Sequence, residues 1–241
     1  PCGSHLISYG TGIYLATGTV LVAPAGQGLQ LRDQRCAGPC PRGIGVLRRD
    51  DAGYGVARPL LMDKVIDTSR LILRRFTLDD LQAFYQLCSR PEIIRYAQST
   101  PLASLEEARA MMDSAPFHDY ATYGYGRFAC VWKESGMVIG FSGVKYVPEI
   151  GDTELGYRFL PEFWGMGLAT EAGRASIEFA RSDLGLRRLV AMVHPDNEAS
   201  ARVLTKLGFA VESQLRYSGL QGVDVNLFTL ELDQAIPGAT L

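Results

Sequence analysis

The chain has 241 residues, a formal net charge of -2 and an isoelectric point of about 6.0. This length accommodates one substantial core plus an appendage. The near-neutral charge offers no basic excess for nucleic acid or an anionic membrane, and no apolar run approaches the roughly 20 residues of a membrane-spanning helix. We therefore expect a cytoplasmic protein that binds neither nucleic acid nor membrane.

The composition changes near residue 62. Residues 1–61 are rich in Gly, Pro and Arg and show little periodicity beyond two candidate strands, Ile13 to Val22 and Leu29 to Leu31. We predict that residues 1–61 are an atypical extension, either vector-derived or read-through sequence upstream of a start at Met62, or a small native appendage. Residues 62–241 are then the main domain.

Five cysteines, an odd number at irregular spacing, do not indicate a disulfide framework. Cys36 and Cys40 lack the four well-spaced ligands of a structural zinc site, so no metal is expected. Cys88 and Cys130 are predicted to be core thiols.

From Met62 onward, predicted strands and helices alternate. Residues 70–76 alternate apolar and basic side chains, as in a half-buried strand. Thr77 and Ser104 each begin a capping box, and the second helix is predicted to end near Pro116. The later predicted strands are Arg127 to Trp132, Val138 to Val144, Thr153 to Phe159, Arg188 to Val193, Phe209 to Tyr217 and Val223 to Leu232, with helices after Leu168 and over Ala199 to Leu207. This order predicts a mixed α/β fold.

Two glycines, Gly165 and Gly167, stand directly before a long amphipathic helix. Glycine lets the backbone approach an oxyanion closely, and the unpaired N–H groups of a first helical turn attract negative charge. The pattern predicts a diphosphate site, and the alternative is a tight turn needed only for packing. A P-loop ending and the third glycine of a dinucleotide fingerprint are both missing, which argues against nucleotide hydrolysis and hydride transfer.

Two ordered blocks resemble the GNAT superfamily of N-acetyltransferases, and most resemble its RimJ/RimL-like branch of ribosomal-protein-alanine N-acetyltransferases. Residues 154–172 read ELGYRFLPEFWGMGLATEA, and residues 197–209 read NEASARVLTKLGF. The resemblance covers roughly residues 66–232. It implies a central, mostly antiparallel sheet flanked by helices, in which the fourth and fifth predicted strands, Thr153 to Phe159 and Arg188 to Val193, are parallel and splayed.

The resemblance also implies that acetyl-CoA binds between those two strands. Its pantetheine arm would pair like an extra strand, the loop backbone would contact its pyrophosphate, and Asn197 and Ser200 would approach the pantetheine and the thiol. The implied cofactor-binding residues are Phe159, Trp164, Gly165, Met166, Gly167, Leu168, Ala169, Thr170, Asn197 and Ser200.

Acetyl transfer to an amine needs a base, a donor for the thioester oxygen and a proton for the departing thiolate. Glu154 is the candidate base, the alternative being a solvent-facing strand carboxylate. Many relatives have a tyrosine acid where this chain has Leu204, so Ser200 is the candidate acid. Its alternative role is to support the helix cap at Asn197.

Two further residues are weaker candidates. Asp224 offers a second carboxylate, and His194 is either a base or, as we favour, a loop histidine. The leading hypothesis is an enzyme that acetylates a primary amine, on a protein N-terminus or a small molecule, as a monomer or homodimer. A non-catalytic acyl-CoA sensor and a partner-binding scaffold are the alternatives.

Overall fold

The computed structural model describes residues 64–97, 100–217 and 223–232, and three short backbone strands nearer the N-terminus. Those strands, Ile7–Tyr9, Gly12–Tyr14 and Val20–Leu21, form an antiparallel sheet within a first compact unit, Pro1–Gly45. The predicted boundary at residue 62, the strand at Leu29 to Leu31 and the Cys36 and Cys40 loop lie outside the described residues.

The second unit, Val46–Leu241, contains an eight-stranded sheet. Its strands are β1 (Ile66–Asp67), β2 (Leu71–Arg74), β3 (Arg127–Trp132), β4 (Val138–Val147), β5 (Asp152–Phe159), β6 (Arg188–Val193), β7 (Ala210–Tyr217) and β8 (Val223–Glu231). Across the sheet they follow the order β7-β8-β6-β5-β4-β3-β2-β1. Every neighbouring pair is antiparallel except β5 and β6.

The parallel pair β5 and β6 separates almost at once. The two strands register at one position, where Glu154 lies opposite Val190. Residues 155–159 of β5 and 191–193 of β6 then continue without registering with each other, and we call the space between them the cleft. The predicted mixed α/β fold with two splayed parallel strands is confirmed.

The helices are α1 (Leu81–Ser89), α2 (Pro91–Ile94), α3 (Leu105–Ser114), α4 (Pro116–Tyr123), α5 (Leu168–Ser182) and α6 (Glu198–Lys206). Short 3-10 turns span Leu78–Asp80 and Pro161–Phe163. The Ser104 cap is present, since its Oγ accepts from Glu107 N at 3.2 Å. Helix α4 was not predicted, because Pro116 ends one helix and also occupies the favoured first position of the next.

Helices cover both faces of the sheet. Helices α5 and α6 pack on one face through Leu168, Phe179 and Leu204, and α1 and α3 pack on the other through Leu87 and Met112. The cysteines predicted to be core thiols, Cys88 and Cys130, are free and buried. Within the described ranges, the search for a helix long and apolar enough to cross a membrane found none.

Candidate active site

The glycine loop, Trp164–Thr170, joins β5 to α5 and has the conformation that its glycines predict. Gly165 and Gly167 have φ angles of +75° and +79°, in the left-handed region that residues with a Cβ rarely adopt. The first backbone hydrogen bond of α5 runs from Glu171 N to Gly167 O at 3.0 Å. The N–H groups of residues 168–170 therefore precede the helical ladder and point out of the helix start.

Two side chains brace the glycine loop from outside. Glu171 accepts hydrogen bonds from Thr68 Oγ1 at 2.7 Å and from Arg70 N and Nε at 2.7 and 2.8 Å. The same arginine donates from Nη1 to Met166 O at 2.9 Å. Burial alone raises the pKa of Glu171, but the hydrogen bonds from Thr68 and Arg70 outweigh it and hold that pKa below its usual value. The loop is thus tied to the start of β2.

Trp164 and Phe159 interact with each other at the entrance to the loop. The Trp164 indole is half exposed and donates from Nε1 to Phe159 O at 2.7 Å. The Phe159 ring is buried in the core. Both were predicted to bind cofactor, and here each helps fix the path of the chain from β5 into the loop.

A second group of predicted residues lies beyond the end of β6. Asn197 caps α6, its Oδ1 accepting from Ser200 N at 3.1 Å. The Ser200 hydroxyl has a separate partner, the Tyr157 hydroxyl on β5, at 3.0 Å. Tyr157 also donates to Ser200 O at 3.1 Å. Because Tyr157 lies on β5 and Ser200 follows β6, this contact spans the cleft.

The candidate base Glu154 is nearly buried, at 8% exposure. Its Oε2 accepts from Arg127 Nη2 on β3 at 2.6 Å. The guanidinium lies where Gly156 leaves room, since a Cβ on that glycine would come within 2.3 Å of Arg127 Nη2. Among the hydrogen bonds of the described residues, none uses Glu154 Oε1. The alternative role of a solvent-facing carboxylate does not fit this burial.

The weaker candidates lie in other surroundings. Leu204, at the position of the tyrosine acid of many relatives, is buried in the core. Asp224 is exposed and pairs in register with Arg216 on β7. His194 Nδ1 accepts from Asp196 N at 3.2 Å, as a loop histidine does.

Comparison with known proteins identifies the family. The acetyltransferase (GNAT) domain matches residues 70–210, more than half of the chain. The chain belongs to the GNAT acetyltransferase family. The protein named "Uncharacterized N-acetyltransferase p20" from Bacillus licheniformis is 35% identical over 168 residues, covering 68% of this chain and 93% of that protein.

One further relative and one solved structure are similar to this chain. Spermidine N(1)-acetyltransferase of Escherichia coli (strain K12) is 27% identical over 147 residues, covering 60% of this chain and 75% of that protein. The crystal structure of ribosomal-protein-S5-alanine acetyltransferase from Vibrio fischeri matches the fold with a TM-score of 0.58 at 21% identity, covering 73% of this chain and all of that one. The predicted resemblance to the GNAT superfamily is confirmed, and the RimJ/RimL-like branch stays a prediction.

The chain is therefore an N-acetyltransferase that uses acetyl-CoA and acetylates an amine. This assignment favours the catalytic hypothesis over the acyl-CoA sensor. Sequence reasoning missed Tyr157 and Arg127 as partners of the predicted residues. The tyrosine lies inside the first GNAT-like block, so its place on the splayed strand was a usable signal, whereas Arg127 comes from another strand altogether.

Proposed function

We propose that acetyl-CoA occupies the cleft and the glycine loop, that Glu154 is the base, and that Ser200 with Tyr157 protonates the leaving thiolate. One observation carries this proposal. The sheet opens between β5 and β6 after a single registered pair, and both predicted cofactor segments, the glycine loop and the Asn197 turn, follow the ends of those two strands.

The described residues fit this cofactor. The glycine loop presents main-chain N–H groups at a helix start, the arrangement that suits a diphosphate. Asn197 Nδ2 is a candidate partner for the pantetheine amides, because the Oδ1 of the same side chain already caps α6. When bound, acetyl-CoA supplies a thioester whose carbonyl carbon accepts the amine. A main-chain N–H of β5 is the natural donor to the thioester oxygen.

One carboxylate oxygen of Glu154 accepts a hydrogen bond, and among the hydrogen bonds of the described residues none uses the other oxygen. Arg127 fixes Oε2 at 2.6 Å and so sets the orientation of the carboxylate. Oε1 is then in position to accept a proton from the acceptor ammonium, directly or through water. A positioned general base contributes roughly a hundredfold to ten-thousandfold in rate.

The test of the base is Glu154→Gln measured between pH 6 and 9. We expect kcat/KM to fall at least a hundredfold, with the acetyl-CoA dissociation constant within threefold of wild type. Glu134→Gln, in the exposed turn between β3 and β4, is the matched control and is expected to keep full activity. Full kcat/KM of the Glu154→Gln enzyme across this pH range would reject the assignment.

The hydroxyl pair spanning the cleft is suited to proton donation. Burial raises the pKa of Tyr157 to about 12, although the hydrogen bond with Ser200 opposes the rise. The phenol therefore keeps its proton at neutral pH. When this proton turns from Ser200 O to Ser200 Oγ, the serine's own proton is free to pass to the departing sulfur. Ser200 donates directly in this scheme, and Tyr157 positions it.

Single-turnover acetylation tests this pair. We expect Ser200→Ala and Tyr157→Phe each to slow the chemical step about tenfold or more, and the double variant to be little slower than either single one, because bonded residues act as a unit. Thr205→Ala, whose hydroxyl bonds within α6, is the control. An unchanged single-turnover rate for Ser200→Ala would remove the proton-donor role.

The acceptor is proposed to be a primary amine, on a protein N-terminus or on a small molecule. The E. coli relative is named for spermidine, so polyamines belong in any acceptor screen. A monomer or homodimer in the cytoplasm stays a prediction. Light scattering of the purified protein, coupled to size-exclusion chromatography, measures the oligomeric state.

A further inference from the structure

The face of the sheet beneath α1 and α3 carries a row of charged side chains. Glu154, Gly156 and Arg158 point to this face of β5, because alternate residues of a strand share a face. Arg127 lies over Gly156. The row therefore runs from the candidate base, past the Arg127 guanidinium, to Arg158, whose Cα is about 13 Å along the strand from that of Glu154.

Arg158 has no counter-ion within the described ranges. Its Nη1 donates to Leu87 O at 3.1 Å and to Cys88 Sγ at 3.4 Å, both on α1 and both uncharged. Burial lowers the pKa of Arg158, yet a guanidinium remains protonated at physiological pH. Arg158 is partly buried, and taking a charge out of water without an opposite charge nearby is costly, so the fold keeps an unfavourable group at this position.

The neighbours of Arg158 add positive charge. The guanidinium carbons of Arg158 and Arg127 each lie 5.3 Å from the centroid of the Phe141 ring. Arg127 has a single carboxylate partner, Glu154, and its Nε is buried without a hydrogen-bond partner among the described residues. Two guanidiniums thus lie close to one aromatic ring, and in the described part of the chain only that of Arg127 is paired with a carboxylate.

Further charged groups lie close to these guanidiniums. Lys145 on β4 lies in register with Glu154. The charge of Arg127, followed by burial, lowers the pKa of Lys145. Asp119 on α4 is another nearby acid, and burial raises its pKa. Glu149 also interacts electrostatically with Lys145. Three basic side chains and three carboxylates therefore lie near one another, but Glu154 is already paired with Arg127, and among the described residues no carboxylate is hydrogen-bonded to Arg158.

We propose that the acceptor amine carries a carboxylate and that Arg158 binds this carboxylate. Arg127, which contacts the same Phe141 ring, adds positive charge nearby. The inference rests on the proposed function, since it places the amine near Glu154 and the acid group farther along β5. Guanidinium groups pair bidentately with carboxylates, and an incoming carboxylate neutralises the unpaired charge of Arg158. Spermidine, a polycation without an acid group, is repelled by the same cluster.

Matched acceptors test the proposal. The purified full chain is assayed with acetyl-CoA and ω-amino acids of three to six carbons, and each amino acid is compared with its own carboxamide. Spermidine is a further acceptor. A short peptide is tested in two versions, one with acidic side chains and one with those side chains amidated. The longer pairs have nearly equal amine basicity, so the comparison isolates the acid group. We expect kcat/KM for the best carboxylate to exceed that of its carboxamide at least tenfold. The peptide arm distinguishes a free amino acid from an acidic peptide as the source of the carboxylate.

Arg158→Gln is the decisive variant. It is expected to lower the ratio of kcat/KM for the carboxylate acceptor to kcat/KM for its carboxamide at least tenfold, and Arg158→Lys is expected to restore part of this preference. Because the carboxamide reports activity of the same protein, a folding defect is recognised at once. Arg202→Gln, on exposed α6, is the control.

The outcomes separate this inference from the proposed function. Equal kcat/KM for carboxylate and carboxamide, an unchanged preference in Arg158→Gln, or acetylation of spermidine but of no carboxylate acceptor would overturn it. Failure of the Glu154 assignment alone would leave the preference for carboxylates intact, because that preference is a ratio measured within one enzyme.

Discussion

Replacing Gly167 by valine should separate cofactor binding from general stability. The backbone at Gly167 has φ +79°, which is a steric outlier for a β-branched residue. Retaining that conformation costs about 2 kcal/mol. The melting temperature of a domain of this size should then fall by about 5 °C. If the loop instead relaxes, its N–H groups rotate away from the helix start.

Cofactor affinity reports this relaxation. Loss of one hydrogen bond to a charged group is worth roughly 1.5–3 kcal/mol, so the acetyl-CoA dissociation constant should rise about tenfold or more, as measured by titration calorimetry. Gly136→Val is the matched control, because Gly136 has φ +71°, open surroundings and a place in the β3–β4 turn. Wild-type affinity in Gly167→Val, or an equal loss in Gly136→Val, would refute the role of the loop.

Two further predictions concern charged side chains that hold the fold. Glu171→Ala removes the acceptor that ties Arg70 to the glycine loop, and should cost roughly 2 kcal/mol of unfolding free energy and weaken acetyl-CoA binding severalfold. The exposed Glu178→Ala on the same helix should change neither measurement, and equal losses in both variants would contradict the bracing role. Asp80 is buried, which raises its pKa, but hydrogen bonds led by that of Arg74 lower it below its ordinary value. A depressed folded-state pKa gives stability that is present at neutral pH and lost on acidification, so Asp80→Asn should cost about 2 kcal/mol in urea unfolding at pH 7, and progressively less below about pH 4. A pH-independent cost would contradict the ion-pair explanation.

The elements near the cleft could be predicted from sequence because their signals are local. The predicted strand from Arg188 to Val193 matches β6 residue for residue. The predicted helix from Ala199 to Leu207 differs from α6 by one residue at each end, since Asn197 and Gly208 supply the start and stop signals. The conformation of the glycine loop could also be predicted, because two closely spaced glycines before a helix favour backbone angles that other residues rarely adopt.

The row of charged side chains beneath α1 and α3 could not be predicted in this way. Arg127, Lys145 and Glu154 come from three strands, and they meet because of the register between β3, β4 and β5. Register depends on the packing of whole strands against the helices, which no short motif encodes. The contact between Tyr157 and Ser200 was likewise not predictable, because the two residues are 43 positions apart and no local pattern links them.

The single registered pair between β5 and β6 has a consequence for the assembly of the sheet. Backbone groups of residues 155–159 and 191–193 form two edges in the middle of an eight-stranded sheet, and exposed edges invite pairing with other chains. Here the two edges face each other across the cleft, and the hydrogen bond between Tyr157 and Ser200 connects the two sides. The domain thus keeps these two unpaired strand edges facing each other inside the sheet, and not at its outer borders.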